Sequence, residues 1–309
     1  MPLIQIFIST HNRPNSAIKA IHSALNQNFN SFEVVVSDNS TNDETKNLVS
    51  QIINDRLVYK KRDPSLLAFD HFNVILKDVT SDFFVIFHDD DIMYSNMLNI
   101  LFNGFDKQEN IIAVGGNAMI VTNGENSNKK IFRSYKNNIV LTRPLDIVKQ
   151  YSIRNGIVPF SSYMYKLEVA KRLNFDVTKA GKYSDVSFIL ELTYIGYVKF
   201  LAQPVMDYYI HKEQDSAAFS FDQMTKLIVY FCNNTGLNRK SKLIKKFRIL
   251  NIYAVLKYDM INKSNYLFSK RYFRLIRFLI KSGHINSFIR ACFFSLLIIL
   301  KKAKIKFYK

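Results

Sequence analysis

The chain has 309 residues, 48% of them hydrophobic, with 43 Lys+Arg against 25 Asp+Glu and a formal charge of +18. The length allows one large core plus an appendage, and two cysteines, Cys232 and Cys292, exclude a disulfide framework or a cysteine metal pattern and favour a reducing compartment. The excess charge is confined to one end: residues 1–238 hold 24 cations and 24 anions, whereas residues 239–309 hold 19 cations and a single anion, Asp259. A neutral body is therefore expected to carry a tail that meets something anionic.

In chain order, Met1 to Phe7 lacks the basic start and cleavage site of a signal peptide and reads as a strand. Strands are expected at Leu3–Ser9, Phe32–Ser37, Leu57–Lys60, Phe83–Phe87 and Ile111–Val121, with helices near 15–26, 43–53, 66–77 and 95–106 between them. This alternation predicts an α/β fold with a mostly parallel sheet covered on both faces. From 122 to 210 the pattern is irregular: a polar loop at Asn123–Lys130, a helix near 144–152, a strand near 160–165, helices near 166–173 and 184–195, and strand-like segments at Tyr197–Ala202 and Val205–Ile210. After Asp222 the chain reads as helices near 222–233, 240–260, 266–281 and 285–303. The expected division is a catalytic domain over 1–221, with halves 1–121 and 122–221, and a helical basic region over 222–309.

The greasy strand Phe83–Phe87 runs directly into His88-Asp89-Asp90-Asp91. Three adjacent carboxylates at the edge of an apolar core repel one another unless a cation offsets them, and carboxylates suit Mg2+ or Mn2+, whose shells phosphate oxygens commonly complete. The bland alternative is a solvated loop in which one Asp caps the next helix. Two further polar clusters follow strands, Ser9-Thr10-His11-Asn12-Arg13 and Ser37-Asp38-Asn39-Ser40, and ligand sites in parallel sheets form beyond such strand ends. Pro14 marks a helix start whose amides suit phosphate. Arg13 reads as a phosphate or base contact or as a surface cation, and Asp38 as a uracil acceptor or a turn residue. No Gly-x-Gly-x-x-Gly is present, which counts against a dinucleotide-binding oxidoreductase.

Together, Ile4–Pro14, Val34–Asp43, Phe84–Met93 and, more faintly, Tyr208–Ser216 resemble the inverting glycosyltransferases of family 2, which have the nucleotide-diphosphosugar transferase (GT-A) fold. The resemblance implies that Thr10, His11, Asn12 and Arg13 line a nucleotide pocket and that Asp38 holds the base. An Asp-x-Asp-type motif would bind ribose and a metal-diphosphate, with Mn2+ or Mg2+ as cofactor. Aligning its last two aspartates gives Asp90 and Asp91 to the metal and leaves the ribose to Asp89 or His88, the latter standing where the family often has an acid. Gly115-Gly116-Asn117 is expected to bring backbone close to the sugar nucleotide or, on its own chemistry, to form a bulge. Ile157–Ser162 resembles the wall of the sugar and acceptor pocket. Asp185 is expected as the general base, although its place at a helix start also suits an N-cap. His211 resembles a histidine that reaches back to the metal-diphosphate.

In the tail, Phe268, Tyr272, Leu275, Ile276 and Leu279 share one helical face, opposite a stripe of Lys270, Arg274, Arg277 and Lys281. The uncharged run Ala291–Leu300 falls well short of the roughly 20 residues that span a bilayer, so an anionic membrane surface is the expected partner. Nucleic acid is not, because the aromatics lie on the apolar face and not among the cations. The resulting expectation is a metal-dependent transferase moving a sugar from a nucleotide sugar, UDP-linked, to a glycan or lipid-linked oligosaccharide, as in bacterial surface-polysaccharide assembly, at the cytoplasmic face of the membrane. A sugar nucleotidyltransferase and a noncatalytic anion-binding protein are the rivals.

Overall fold

A computed structural model describes residues 1–105, 109–122, 124–132, 136–154, 157–210 and 221–262, and beyond these only positions 273, 276 and 277. Among the described residues the strands are β1 (Ile4–Thr10), β2 (Phe32–Asp38), β3 (Leu57–Lys61), β4 (Phe83–His88), β5 (Ile92–Met93), β6 (Ile111–Thr122), β7 (Glu125–Lys130), β8 (Ile139–Leu141), β9 (Tyr163–Lys166) and β10 (Tyr197–Ile210). They form one sheet in the order β3-β2-β1-β4-β9-β6-β10-β5, with β7 paired to β6 and β8 to β10. The pairs β1–β2, β2–β3, β1–β4 and β6–β10 are parallel, and β9 runs antiparallel to both β4 and β6. The helices are α1 (Pro14–Leu25), α2 (Glu44–Val49), α3 (Ala68–Asp78), α4 (Met97–Phe102), α5 (Pro144–Arg154), α6 (Leu167–Arg172), α7 (Val177–Ala180), α8 (Ser184–Leu192), α9 (Phe221–Thr235) and α10 (Lys242–Asn262).

The central strands are apolar on both faces because helices cover both. Ile6, Phe7 and Ile8 of β1, and Val85, Ile86 and Phe87 of β4, are all fully buried, which is the pattern of a parallel sheet interior. On α1, Ala17, Ala20, Ile21 and Ala24 recur at helical spacing and are buried, while Pro14 opens the helix. Small residues on that face let the helix lie close to the sheet, and each large side chain it covers contributes roughly 1.5–3 kcal/mol.

The observed elements depart from expectation in three places. The polar stretch expected as a loop at Asn123–Lys130 contains β7, hydrogen-bonded to β6 from Thr122↔Glu125 to Met119↔Lys130. The segments on either side of Gln203 are one strand, β10, which stays paired to β6 through register shifts around Pro204; a proline without an amide proton is accommodated at such a bulge. The strand expected from 160 begins only at Tyr163, after a 3-10 turn at Phe160–Ser162.

The chain divides into two compact bodies, Met1–Gln150 with Gly156–Thr235, and Tyr151–Asn155 with Gly236–Lys309. Helix α9 belongs to the first, which holds the sheet. In the second, Ile244, Phe247 and Ile252 of α10 are buried. The helices expected near 266–281 and 285–303 lie outside the described residues, apart from the three isolated positions.

Beneath the strand ends, His71 of α3 is buried between two serines, with Ser9 Oγ 3.3 Å from Nδ1 and Ser37 Oγ 2.7 Å from Nε2. Arg62 Nε donates to Ser37 Oγ at 2.8 Å, so the Ser37 hydroxyl turns its own proton to His71 Nε2 and leaves Nδ1–H for Ser9. Burial first, and then the Arg62 charge, lower the His71 pKa to about 4. An unfolded histidine takes up its proton near pH 6.5, so the unfolded state binds more protons between about pH 6.5 and 4, and stability falls as pH drops through that window. The full shift corresponds to about 3 kcal/mol. Melting temperatures taken from pH 7 down to pH 4 should fall more steeply for the wild type than for His71→Gln, and parallel curves would refute the assignment.

Candidate functional site

Register brings the three polar clusters together. Thr10 pairs with Asp38 across β1–β2, and Ser9 pairs with His88 across β1–β4, so all three strands end at one edge. Asn12 adopts a left-handed conformation, φ 53°, which asparagine tolerates better than most residues. Its amide donates to Ser40 Oγ at 2.8 Å and its Oδ1 accepts from Thr41 N at 3.0 Å. His11 Nδ1 lies 2.7 Å from the Asn39 carbonyl; a carbonyl can only accept, so Nδ1 carries the proton and Nε2 is left to accept from Asn12 Nδ2 at 3.3 Å. The loops after β1 and β2 are thus tied into one wall.

Asp38 is completely buried. Its Oδ1 accepts from Ser40 N at 2.9 Å and its Oδ2 from the Tyr59 hydroxyl at 2.6 Å, with Lys61 Nζ 3.6 Å away. Burial and the Asp38 hydrogen bond push the Tyr59 pKa up, so the phenol remains the donor. Each carboxylate oxygen has two lone pairs, so one acceptor site per oxygen remains.

The acidic run separates into different environments. Asp89 Oδ2 accepts from His11 N at 3.4 Å, and Arg13 Nη1 lies 3.3 Å from both Asp89 Oδ1 and Asp90 Oδ2. Burial raises the Asp89 pKa, with Thr10 and Arg13 opposing the rise. Asp91, 1% exposed, accepts from the Ser161 hydroxyl at 2.7 Å and from Tyr209 N at 3.2 Å. Burial nevertheless pushes its carboxyl up to about 7, because these two hydrogen bonds do not offset the lost hydration. One ligand atom from each of His88, Asp90 and Asp91 fits within a mutual span of 4.8 Å. The two carboxylates suit Mn2+ or Mg2+ and the imidazole tilts the set towards the softer Mn2+, so the residues present fit a divalent ion. His211 lies outside the described residues.

Asp185 occupies the first turn of α8. The N-cap position belongs to Tyr183, whose side chain makes no capping bond, so Asp185 is not the N-cap, although its carboxylate accepts from the Val186 amide and its own. Asp185 is half-buried. Burial raises its pKa, opposed by the Val186 amide, His88 and Lys182. The Tyr165 and Tyr183 hydroxyls hold their protons more tightly through burial and then through the Asp185 charge. His88 thus lies near enough to both the acidic run and Asp185 to act on their charges. Just before α8, Gly181 has φ +63°, and a Cβ there would lie 1.7 Å from Gln223 Oε1, the atom that accepts from Lys182 N at 2.9 Å.

An aromatic floor underlies this junction. The His88 ring lies nearly parallel to Phe72, 6.0 Å between centroids and 8° between planes, and 5.8 Å from Phe160. Phe175 stacks on Phe188 at 4.2 Å and 9°. Sequence reading had Phe160 within the Ile157–Ser162 wall and missed the other rings. Phe188, one turn after Asp185, carried a positional signal, whereas Phe72 and Phe175 carried none. Gly116 and Asn117 remain inside the sheet. A Cβ on Gly116 would lie 2.4 Å from Val205, and Asn117, fully buried, bonds the Phe132 backbone through both ends of its amide. Their observed work is close strand packing and anchoring of the chain after β7.

Residues 5–168 match the sequence family described as Glycosyl transferase family 2. The chain belongs to that family. This glycosyltransferase is 22% identical over 276 residues, covering 85% of its length and 84% of the relative, to a protein of Haemophilus influenzae described as an uncharacterized glycosyltransferase. Over 131 residues, 40% of each chain, it is 30% identical to the GalNAc(5)-diNAcBac-PP-undecaprenol beta-1,3-glucosyltransferase of Campylobacter jejuni. Its fold is similar to that of S. aureus TarS 1–349 in complex with UDP-GlcNAc, with TM-score 0.62, 17% identity and coverage of 90% of this chain and 81% of that one. It is also similar to the mannosyltransferase PcManGT from Pyrobaculum calidifontis in complex with GDP-Man and Mn2+, with TM-score 0.56, 14% identity and coverage of 98% and 86%. The glycosyltransferase accordingly has the GT-A fold, with its polar strand ends at the edge where the acidic run and Asp185 converge.

Proposed function

We propose that this glycosyltransferase is inverting and dependent on a divalent metal, and that it moves a sugar from a UDP-sugar to a hydroxyl of a glycan or lipid-linked glycan. The observation that carries this reading is the convergence of a pKa-raised Asp185 with the His88–Asp90–Asp91 donor set. Thr10, His11, Asn12 and Asp38 hold the nucleoside, Asp89 its ribose, and Arg13 a phosphate. Bound at His88, Asp90 and Asp91, a divalent ion supplies positive charge where the departing diphosphate gathers negative charge. Asp185 takes the proton of the acceptor hydroxyl as that oxygen bonds to the anomeric carbon. The bond from that carbon to the diphosphate breaks on the opposite face, which inverts the centre.

UDP as the nucleotide is supported by the UDP-GlcNAc bound to TarS, and a lipid-linked acceptor by the undecaprenol compound in the name of the Campylobacter relative. Among the described residues no helix is long and apolar enough to cross a membrane. The basic tail supports attachment to an anionic cytoplasmic membrane surface, where bacterial surface polysaccharides are assembled. A thermal-shift panel of UDP, GDP, UDP-GlcNAc and GDP-Man with Mn2+ tests donor and metal together. A shift with the uridine compounds that needs Mn2+ is expected; a shift with the guanosine compounds alone would sink the UDP reading.

A further inference from the structure

A second feature of the sheet body lies at its β7–β8 edge. Asn128, Lys129, Lys130, Lys136, Asn138, Ala202, Gln203 and Pro204 line an open groove of about 790 Å3. No acidic side chain lines it, and among the described residues none of its three lysines has a carboxylate within ion-pair distance. Some cations of the same body, Arg13, Arg62 and Lys179 among them, pair with Asp or Glu, but what marks the groove is that its three lysines share one concavity lined by no acidic side chain. The sequence concentrates charge here as well. Lys129, Lys130 and Lys136 stand in a stretch, Asn126–Thr142, that has no Asp or Glu, although residues 1–238 as a whole are balanced.

The groove is built on fixed backbone. Asn128 turns the chain in a left-handed conformation, φ 54°. Ala202 N donates to Asn138 Oδ1 at 3.0 Å, and the Ala202 carbonyl accepts from Asn117 Nδ2 at 3.4 Å and from Lys130 Nζ at 3.5 Å. Lys130 keeps spare donors, since an ammonium has three. Three like charges held around a concavity repel one another until an anion enters. A groove accepts an extended chain, whereas a flat lipid surface is better met by a protruding face, so the shape favours a chain-like ligand.

We propose that this groove binds an acidic stretch of the glycan acceptor, carboxylate- or phosphate-bearing, away from the end being extended; this rests on the glycan-acceptor reading above. Strand β10 joins the two sites. Ala202 lies on the groove floor, and seven residues later Tyr209 N holds Asp91. At about 3.3 Å per residue, and shortened by the bulge, that is roughly 20 Å. An acceptor long enough to span this distance presents its terminal hydroxyl at Asp185 while an earlier acidic unit sits among the lysines. The groove thus selects acceptors by charge, a task apart from the chemistry.

The test uses the full chain and a fluorescent tetragalacturonate, with neutral maltotetraose for comparison. K129S/K130S/K136S should weaken tetragalacturonate binding about tenfold, the combined effect expected of three exposed ion pairs. K129R/K130R/K136R should retain it, and K301S/K302S/K304S, which removes the same charge from the tail, should change it little. The thermal shift given by UDP with Mn2+ should be the same in all four proteins, so loss of donor binding is read separately from loss of the groove. Equal affinity of the wild type and the groove variant, or an equal loss in the tail variant, would overturn the proposal. So would a groove variant that loses phosphatidylglycerol vesicles while keeping the oligosaccharide, which would assign the lysines to lipid.

Discussion

Asp185→Asn should bind UDP and Mn2+ as the wild type does and turn over about 10^2–10^4-fold more slowly, the usual worth of a positioned general base. At 1.36 kcal/mol per decade this is roughly 3–5 kcal/mol of barrier. The carboxamide keeps the shape of the carboxylate but cannot take the acceptor proton. The Asp185 carboxylate accepts from first-turn amides of α8, bonds an amide oxygen can keep, so an unchanged melting temperature and unchanged UDP binding in the asparagine variant separate a fall in kcat from a folding effect. The sign of the pH dependence follows from burial. The raised pKa of Asp185 means that the ionised base is lost at a higher pH than an ordinary aspartate would allow. The wild-type rate should therefore fall on acidification while the residual rate of the asparagine variant should not share that limb. A variant with near-native turnover and intact UDP binding would remove Asp185 from the chemistry.

Chelation should have an effect of similar size. Wild-type transfer should fall at least about 10^2-fold in EDTA and return with Mn2+, since charge stabilisation of this kind is worth several kcal/mol. Asp90→Ala should reproduce that loss without rescue at ordinary metal concentrations, and the Mn2+-dependent part of the UDP thermal shift should vanish with it. Asp90 is the sharper choice among the three donors. Asp91 is bonded to Ser161 and Tyr209, and the His88 ring packs in a cluster with Phe72 and Phe160, so replacing either disturbs buried structure, whereas Asp90 contacts the half-exposed Arg13. Undiminished transfer after EDTA would refute metal dependence whatever the variant did.

The parallel half of the sheet was legible because β1, β2 and β4 are buried on both faces, which writes an unbroken apolar run followed abruptly by polar residues. The same logic hid β7. Glu125-Asn126-Ser127-Asn128-Lys129-Lys130 has no apolar alternation, and its pairing with β6 is a tertiary fact that no local pattern announces. Strand β10 was divided in reading because Gln203-Pro204 resembles a break, whereas the sheet accommodates it as a bulge. In the site, charged residues at strand ends gave themselves away, since carboxylates beside a core require a reason. The aromatic floor did not, because Phe72 on a helix and Phe175 in a loop look like any other core residues until the rings are seen beneath His88. Asn117 ran the other way: a polar residue after two glycines suggested a ligand, and its partners are backbone groups.

The placement of Asp91 has a consequence for redesign. One carboxylate, spending its oxygens on the Ser161 hydroxyl and the Tyr209 amide, joins the end of β4 to the turn that carries Phe160 and to the far end of β10. The proposed metal site and the 160–162 turn are therefore not independent modules. Exchanging the 160–162 turn for that of a relative in order to change acceptor preference would also unseat Asp91, one of the three proposed metal donors. New specificity is more safely sought in side chains that leave this joint intact.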